Sequence, residues 1–510
     1  MKKLIFTLMM SLYFSISQSQ IIQDYPFKTY LDNDNNLYIT GNEQIGNSKD
    51  IFITKYPIND PLSYEWKTQI PNIYGDDRGF DLIVDDHGKV FVTGYSYNFN
   101  SSSNEIIIIS LNSDGTQNWI RYLDFSYDDK GFGIDISKDE NGTVEDVFIT
   151  GYVTNALTGK DFFVKKFNKF GDSLWQSVYT YPGDQVATDI LLDAGYAYVV
   201  GYTYAENETT SDMVIQSYDK LYGNLHDNHT NVINGSSEKP TGFCIPFPSG
   251  DPISKSRSAV TCLTDEIVNN NVRTSYLTVY FNPDLNNDLN PKWSRQTNVD
   301  NEFKENVPTA ITSDLAGNIY VTGYMYNPLA GVYGSAGYDF ATVKYSGETG
   351  NYLWNTNPLF INYNDTSSSG VDDKATSIKV NNKNHVLIAG TSQGSPNGYS
   401  IAIIEQQQRI PIQKYKKAFI PNFLDDGRSV NFNKWASLEL TSDGTPILIA
   451  MGWNENESHW AAVKYDQSGN VEYTINNEPM NKMYDSDIMD LKNEINIYNT
   501  KSFKPVRNLK

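Results

Sequence analysis

Three sets of residues in this chain have types and spacing that could do chemistry. The first is a series of acidic pairs, Asp76-Asp77, Asp128-Asp129 and Asp372-Asp373, joined by a single Asp184, each ahead of an apolar run. Ca²⁺ takes six to eight oxygen ligands, so converging carboxylates are candidates to hold it. An Asp ahead of a strand also caps a turn through its own backbone. No EF-hand or calcium-binding nonapeptide accompanies the pairs, which favours that plainer reading. The second set is Tyr95, Tyr202, Tyr324 and Trp453, each opening a segment rich in Tyr, Asn, Ser, Thr, Glu or Gly. Rigid rings beside amides and hydroxyls give a sugar or peptide contact area at low entropic cost. The third is Cys244 and Cys262, the two cysteines of the chain.

Conventional catalytic sets are sparse, and no catalytic residue is assigned. A sialidase-type Asp box fails on spacing, because Asp114 sits directly beside Gly115 and Trp119 lies four residues further on. A quinoprotein-like docking turn is matched by Thr349-Gly350 to Trp354 in one place only, without vicinal cysteines. Of the five histidines, His87 and His385 fall at or near turns, while His226, His229 and His459 are expected in loops. No third ligand accompanies the His226/His229 pair. There is no HExxH, Walker loop, dinucleotide fingerprint or Gly-x-Ser-x-Gly.

The elements that must position these residues follow from composition and repetition. The chain has 510 residues, 39% hydrophobic and 13% aromatic, with 36 Tyr. That is enough apolar material for a core, and aromatic enrichment points to β-structure. The formal charge of −21 excludes nucleic acid as a partner, since phosphate contacts need clustered Lys and Arg. Met1-Lys2-Lys3, the apolar Leu4 to Ile16 and the small residues Ser17 and Ser19 have the layout of a signal peptide over residues 1–19. The expected localisation is secreted or cell-surface, with the periplasm as an alternative. No transmembrane segment is expected in the mature chain, and a monomer is.

One pattern recurs along the rest: apolar run, Asp/Gly turn, apolar run ending in Thr-Gly, variable loop, apolar run, Gly turn, Trp. Its central glycine falls at Gly41, Gly94, Gly151, Gly201, Gly323, Gly390 and Gly452, with Cys262 at the missing place. Eight copies of roughly 50–65 residues match propeller blades better than sandwiches or solenoid coils. Within each copy, runs such as Val90-FVTG and Ile106-IIIS are nearly continuous in β-formers, as strands covered on both faces are. The expectation is an all-β fold, a β-propeller of four-stranded blades over residues 20–500. Eight blades are expected, with seven as the alternative, and residues 501–510 form a tail. The strand glycine is expected to relieve crowding between neighbouring sheets. A further strand pair, Asp487 to Thr500, would close or cap the ring. Cys244 and Cys262 fall on neighbouring strands of the fifth copy, so a disulfide is expected in an oxidising compartment, with two buried thiols as the alternative.

The sequence Asp314-x-x-Gly-Asn-x-Tyr-Val-Thr-Gly323, followed by Asp339-Phe-x-x-x-Lys-Tyr345 and Gly350-x-x-x-Trp354, resembles the bacterial SBBP-type β-propeller repeat. The resemblance covers nearly all of the mature chain. It is weakest in the fifth copy, about 241–293, and in the Gly-Trp ends of the last two. It implies a secreted or surface-exposed propeller and brings no common catalytic residues with it. The function expected is a binding module that recognises a glycan or protein ligand on its loop face. An enzyme acting on polysaccharide, through carboxylates such as Asp76 or Asp128, is the alternative. A non-catalytic structural surface protein is the third reading.

Overall fold

The computed structural model describes residues 23–476 apart from 46–47, 58–63, 73–74, 194, 205–209, 232–235, 247–256, 269–270, 282–288, 299–303, 328–336, 355–357, 362–371, 393–397, 408–409, 420–430, 454–457 and 467–470. Residues 1–22 and 477–510 lie outside the described residues, and with them the leader, the Asp487–Thr500 pair and the tail.

Among the described residues, thirty-two strands form eight four-stranded antiparallel sheets, each from consecutive strands A to D. Blade 1 comprises Gln23–Leu31, Asn36–Ile45, Ser48–Pro57 and Trp66–Ile70; blade 2 comprises Arg78–Val84, Val90–Asn98, Ser103–Leu111 and Gln117–Leu123. Blade 3 comprises Lys130–Lys138, Val144–Asn155, Gly159–Asn168 and Ser173–Tyr179; blade 4 comprises Gln185–Leu192, Tyr196–Tyr204, Ser211–Asp219 and Leu225–Asn231. Blade 5 comprises Ser236–Cys244, Ser258–Val268, Asn271–Phe281 and Pro291–Thr297; blade 6 comprises Asn306–Ser313, Ile319–Asn327, Gly337–Tyr345 and Leu359–Ile361. Blade 7 comprises Asp373–Val380, Val386–Ser392, Gly398–Gln407 and Ile410–Phe419; blade 8 comprises Asn431–Leu440, Pro446–Trp453, Ser458–Tyr465 and Val471–Asn476.

Strand A of each blade packs against strand A of the next, and blade 8 returns to blade 1. The protein is a β-propeller. Its ring closes by face packing rather than by a shared strand. Phe27, Leu37 and Ile39 of blade 1 share a core with Ile447, Ile449 and Ala462 of blade 8. Thr29 Oγ1 donates to Glu439 Oε1 at 2.8 Å across the same seam. Blade 1 has all four strands within residues 23–70, so its sheet is complete without a later segment.

Every junction buries apolar faces of two sheets, which is why strands B and C carry continuous Val, Ile and Phe. The innermost strands present an open edge toward the axis, and carboxylates cover part of it. Asp81 Oδ2 accepts Ile134 N and Asp135 Oδ2 accepts Leu192 N, both at 2.8 Å, each from one blade to the next.

The strand-B glycine answers first to its own sheet, and at Gly201 and Gly323 also to the neighbouring one, where a Cβ would meet Phe162 and Tyr276 at 2.6 Å. Strand A bulges opposite it, between Gly79 and Asp81 in blade 2. The bulge drives a carbonyl over the glycine: a Cβ at Gly94 would lie 1.8 Å from Arg78 O, and one at Gly151 1.9 Å from Lys130 O. The residue extruded by the bulge is Phe27, Phe80 and Phe132 in blades 1–3, and Thr188, Thr241, Thr309 and Thr376 in blades 4–7. The phenylalanines meet edge to face, 5.7 Å from Phe27 to Phe80 and 5.5 Å from Phe80 to Phe132. Thr309 and Thr376 instead donate to the carbonyls of Ala375 and Ala436 in the next blade, at 2.9 and 2.8 Å.

The expected disulfide is absent, for a reason of parity. Both cysteines are buried free thiols. Cys244 pairs with Ala259 and Cys262 with Pro240, so they sit at different heights on adjacent strands. They also face opposite sides of blade 5. Cys244 packs with Tyr276, Trp293 and Ile311 toward blade 6, and Cys262 with Tyr198, Val200 and Ile215 toward blade 4. A disulfide needs its two Cβ atoms within about 4.5 Å. Burial pushes both thiols above their ordinary pKa.

The Gly-x-x-x-Trp ends are clasps between blades. Trp66, Trp119, Trp175 and Trp293 each donate Nε1–H to a carbonyl in the C–D turn of the next blade: Ser113, Lys169, Lys220 and Gly347, at 2.9–3.1 Å. The indole lies on that turn's glycine. A Cβ at Gly115, Gly171, Gly223 or Gly350 would fall 2.4–2.7 Å from it, and all four glycines have φ of 67–81°. Between blades 4 and 5 both members change together. Asp227 stands at the tryptophan register and Leu289 at the glycine place, and Asp227 Oδ2 accepts Leu289 N.

Candidate functional site

The first acidic residue ahead of each of these A strands ties its blade to the preceding one. The first of each pair accepts the N–H that opens strand C of the preceding blade. Asp76 Oδ1 takes Lys49 N at 3.2 Å, Asp128 takes Asn104 N at 3.4 Å, Asp184 takes Lys160 N at 3.0 Å and Asp372 takes Tyr338 N at 3.3 Å. In blade 5, Ser237 Oγ does the same for Ser211 N at 3.2 Å. The second residue of each pair is buried: Asp77, Asp129 and Asp373, with Gln185, Glu238 and Asn306 at the same place in blades 4, 5 and 6. Asp77 Oδ1 accepts Tyr97 N at 2.9 Å, and Asp129 Oδ1 accepts Thr154 N at 2.8 Å, both from strand B of the same blade. Neutral amides hold two of the six places, and Asp77 and Asp129 serve there as hydrogen-bonding posts. Among the described residues no three His, Cys, Asp or Glu side chains group as a metal site requires.

Burial raises the pKa of Asp77 to about 7 and that of Asp129 to about 6, with hydrogen bonds from Tyr97 and Asn72, or Thr154 and Phe125, opposing the shift. Asp129 Oδ2 accepts Phe125 N at 2.9 Å, while Asp77 Oδ2 is buried with no hydrogen bond among the described residues.

The three tyrosines singled out in the sequence are covered by cations of the next blade. Lys130 Nζ lies 4.6 Å from the Tyr95 ring centre, Lys239 Nζ 5.5 Å from Tyr202, and Lys374 Nζ 4.6 Å from Tyr324. Tyr95 and Tyr202 belong to the core of the ring, in contact with Phe80, Phe132 and Val186. Burial raises the pKa of Tyr202 and Tyr324 above that of a free phenol. The Trp453 side chain lies outside the described residues. His226 and His229 are in strand D of blade 4, not in a loop, and their rings pack on Tyr196 at 4.7 Å and Phe281 at 5.3 Å.

The structure brings together a different set. A cleft of about 400 Å³ opens on the B–C loop face of blade 2. Its inner wall is Pro71, Asn72 and Ser96, from the blade 1–2 connection and strand B. Asn72 is fixed there by donating Nδ2–H to Asp77 Oδ1 at 2.9 Å and Tyr97 O at 2.8 Å, and N–H to Asp50 Oδ1 at 3.1 Å. Three rings line the opening, Tyr97, Phe99 and Tyr122, with Phe99 63% and Tyr122 50% exposed. Glu105, at the start of strand C, supplies the carboxylate. Asn98 orients it. The Asn98 carbonyl oxygen accepts Asn100 N at 2.9 Å, which turns its amide toward Glu105 Oε2 at 3.3 Å and Asp124 Oδ2 at 3.4 Å. Burial raises the Glu105 pKa, the Asn98 hydrogen bond opposes this, and the Asp124 charge adds to it.

The sequence held a signal for Glu105. Strand C pairs the residue two beyond the central glycine with Asp50, Asp161, Asp212 and Asp339 in blades 1, 3, 4 and 6, and with Glu105 in blade 2. One more methylene carries this carboxylate into the cleft. Tyr97, near the end of strand B, and Phe99, just past it, stand in the same segment as Tyr95 but further out, past the ring that the next blade's Lys130 covers.

No family model matches the chain, and no curated protein does. Solved structures with a similar fold include a eukaryotic initiation factor at 9% identity, covering 90% of this chain and 89% of that one, with a TM-score of 0.41. A putative 6-phosphogluconolactonase from Bacteroides fragilis shows 11% identity over 68% of this chain and 86% of that one, with a TM-score of 0.36. An ulvan lyase of a polysaccharide lyase family shows 11% identity over 93% and 98%, with a TM-score of 0.38. At such identities and TM-scores the likeness carries no conclusion about this chain's function.

Proposed function

We propose that this chain is an exported, surface-exposed β-propeller of SBBP type that recognises a glycan on its loop face, at the cleft of blade 2. The observation that carries the reading is the convergence of Tyr97, Phe99, Tyr122 and Glu105 on one cleft of about 400 Å³. Aromatic faces take the apolar face of a pyranose, and a carboxylate beside side-chain amides takes its hydroxyls. Two of the rings are already half or more exposed, so little rearrangement precedes binding. Export rests on the layout of residues 1–19. Among the described residues no helix is long and apolar enough to cross a membrane.

The second reading is hydrolysis, and what favours it is Glu105 with Asp124, both hydrogen-bonded by the Asn98 amide. Two carboxylates are the usual equipment of a glycosidase. The test of both is a glycan-array and polysaccharide screen on the chain from Gln20, with and without Ca²⁺, with product release followed in parallel. Calcium-independent binding lost in the Phe99→Ala/Tyr122→Ala variant is expected. A hit unchanged in that variant, or no hit at all, overturns the assignment, and released oligosaccharide moves it to the hydrolase.

A further inference from the structure

We infer that the blade-2 cleft selects a glycan carrying a free amine, held as its ammonium ion between the Glu105 carboxylate and the rings of Tyr97, Phe99 and Tyr122. This rests on the glycan-binding reading above and sharpens its ligand class.

The electrostatics of the cleft point one way. None of its nine described lining residues is Lys, Arg or His. Glu105 is on the wall, and Asp124 is drawn to the same side through Asn98 at 3.4 Å. Three aromatic rings line the cleft, and the face of an aromatic ring is its negative side. Carboxylate and rings therefore act together on a cation. A neutral sugar would leave Glu105 with hydroxyl partners only. A uronic acid or sulfated sugar would meet like charge with no counter-ion in the described wall, which disfavours it. The chain's formal charge of −21 draws a cationic polymer toward the surface in the same sense.

The other blades show what the cleft has that the scaffold does not require. The equivalent acid in blade 3, Asp161, accepts Thr158 Oγ1 at 3.0 Å, and in blade 6 Asp339 accepts Asn327 Nδ2 at 2.7 Å. Asn98 and Glu105 repeat the blade 6 pair, with the carboxylate one carbon further out. The longer acid at the rim is what an amine outside the sheet can reach.

The experiment is calorimetric titration of the full chain at pH 6 with three pentasaccharides of one linkage: β-1,4-linked glucosamine, its N-acetylated form, and glucose. Roughly 10-fold tighter binding of the glucosamine oligomer is expected, weakening with added salt. Glu105→Gln is expected to bring the three ligands within about 3-fold of one another, and Glu105→Asp to give an intermediate preference. Phe99→Ala is expected to weaken all three. Thermal melts of each variant separate lost binding from lost fold. Equal affinity for the three sugars in the native chain, or a preference that survives in Glu105→Gln, overturns the amine inference and leaves the glycan site standing. Binding of none overturns both.

Discussion

Blades 2 and 3 are built to one plan and differ where it matters. Both pin strand B with a glycine under a strand-A carbonyl, at Gly94 and Gly151. Both clasp the next blade with a tryptophan, Trp119 and Trp175. Both bind a strand-B N–H with a buried Asp, at Asp77 and Asp129. In the same register, Tyr97, Glu105 and Tyr122 of blade 2 become Thr154, Asp161 and Val178 in blade 3, and the next loop residue changes from Phe99 to Ala156. The parts that recur hold the ring together. The parts that do not recur form the cleft.

The largest effect should come from breaking what the two blades share. Gly94→Ala places a methyl group against the Arg78 carbonyl, and Gly151→Ala does so against Lys130. Each should cost more than about 4 kcal/mol or abolish folding, as read by urea denaturation. Trp119→Ala should cost about 3–5 kcal/mol, through the lost indole and its hydrogen bond to Lys169 O. The junction of blades 4 and 5 gives the matching control. Asp227→Trp alone should destabilise, because Leu289 occupies the glycine's place, and adding Leu289→Gly should recover stability in a double-mutant cycle.

Exchanging the differing residues sharpens the comparison. Giving blade 2 the blade 3 side chains, Tyr97→Thr, Phe99→Ala and Tyr122→Val, should weaken glycan binding by roughly 30-fold or more. Stability should change by less than about 1 kcal/mol, since two of the three rings are exposed. An unchanged affinity would place recognition elsewhere.

The smallest effect concerns the buried acids. Asp77 holds its proton to about pH 7 in the folded chain and ionises near 4 when unfolded. Between those values the native state binds more protons. Its contribution is therefore fully present below about pH 4 and is lost as pH rises toward 7. Asp77→Asn should flatten that slope and stabilise at pH 8 by on the order of 1 kcal/mol. Asp129→Asn should destabilise instead. Both of its carboxylate oxygens accept backbone N–H groups, so an amide NH₂ would face a donor. Chemical denaturation from pH 4 to 8 reads both.

The frame was legible because it repeats. The spacing of Gly94, Gly151 and Gly201 marked the strands, the period marked the blades, and Cys262 could be placed although it is not a glycine. Side-chain direction was not legible at the same level. Cys244 and Cys262 were on the expected strands, but the bulge at Pro240 and the odd offset from Ala259 set them on opposite faces. Tyr95, Tyr202 and Tyr324 stood at the foot of the expected loops, yet the covering lysines come from strands roughly 30–50 residues later, a contact that no local pattern announces. The acidic pairs read as turn caps, and Asp129 does accept the N–H of Phe125, but the first acid of each pair also latches onto the preceding blade and the second supports its own strand B. Repetition exposes what every blade needs, and it hides what one blade alone possesses. Glu105 among aspartates was the departure to look for.

Hydrogen–deuterium exchange of the full chain, with and without saturating glucosamine pentasaccharide, tests the central claim most directly. Protection should appear across residues 96–105 of blade 2 and at Asn72, with residues 153–161 of blade 3 unchanged. Protection centred instead on Tyr202 or Tyr324, or spread equally over blades 2 and 3, would contradict the account.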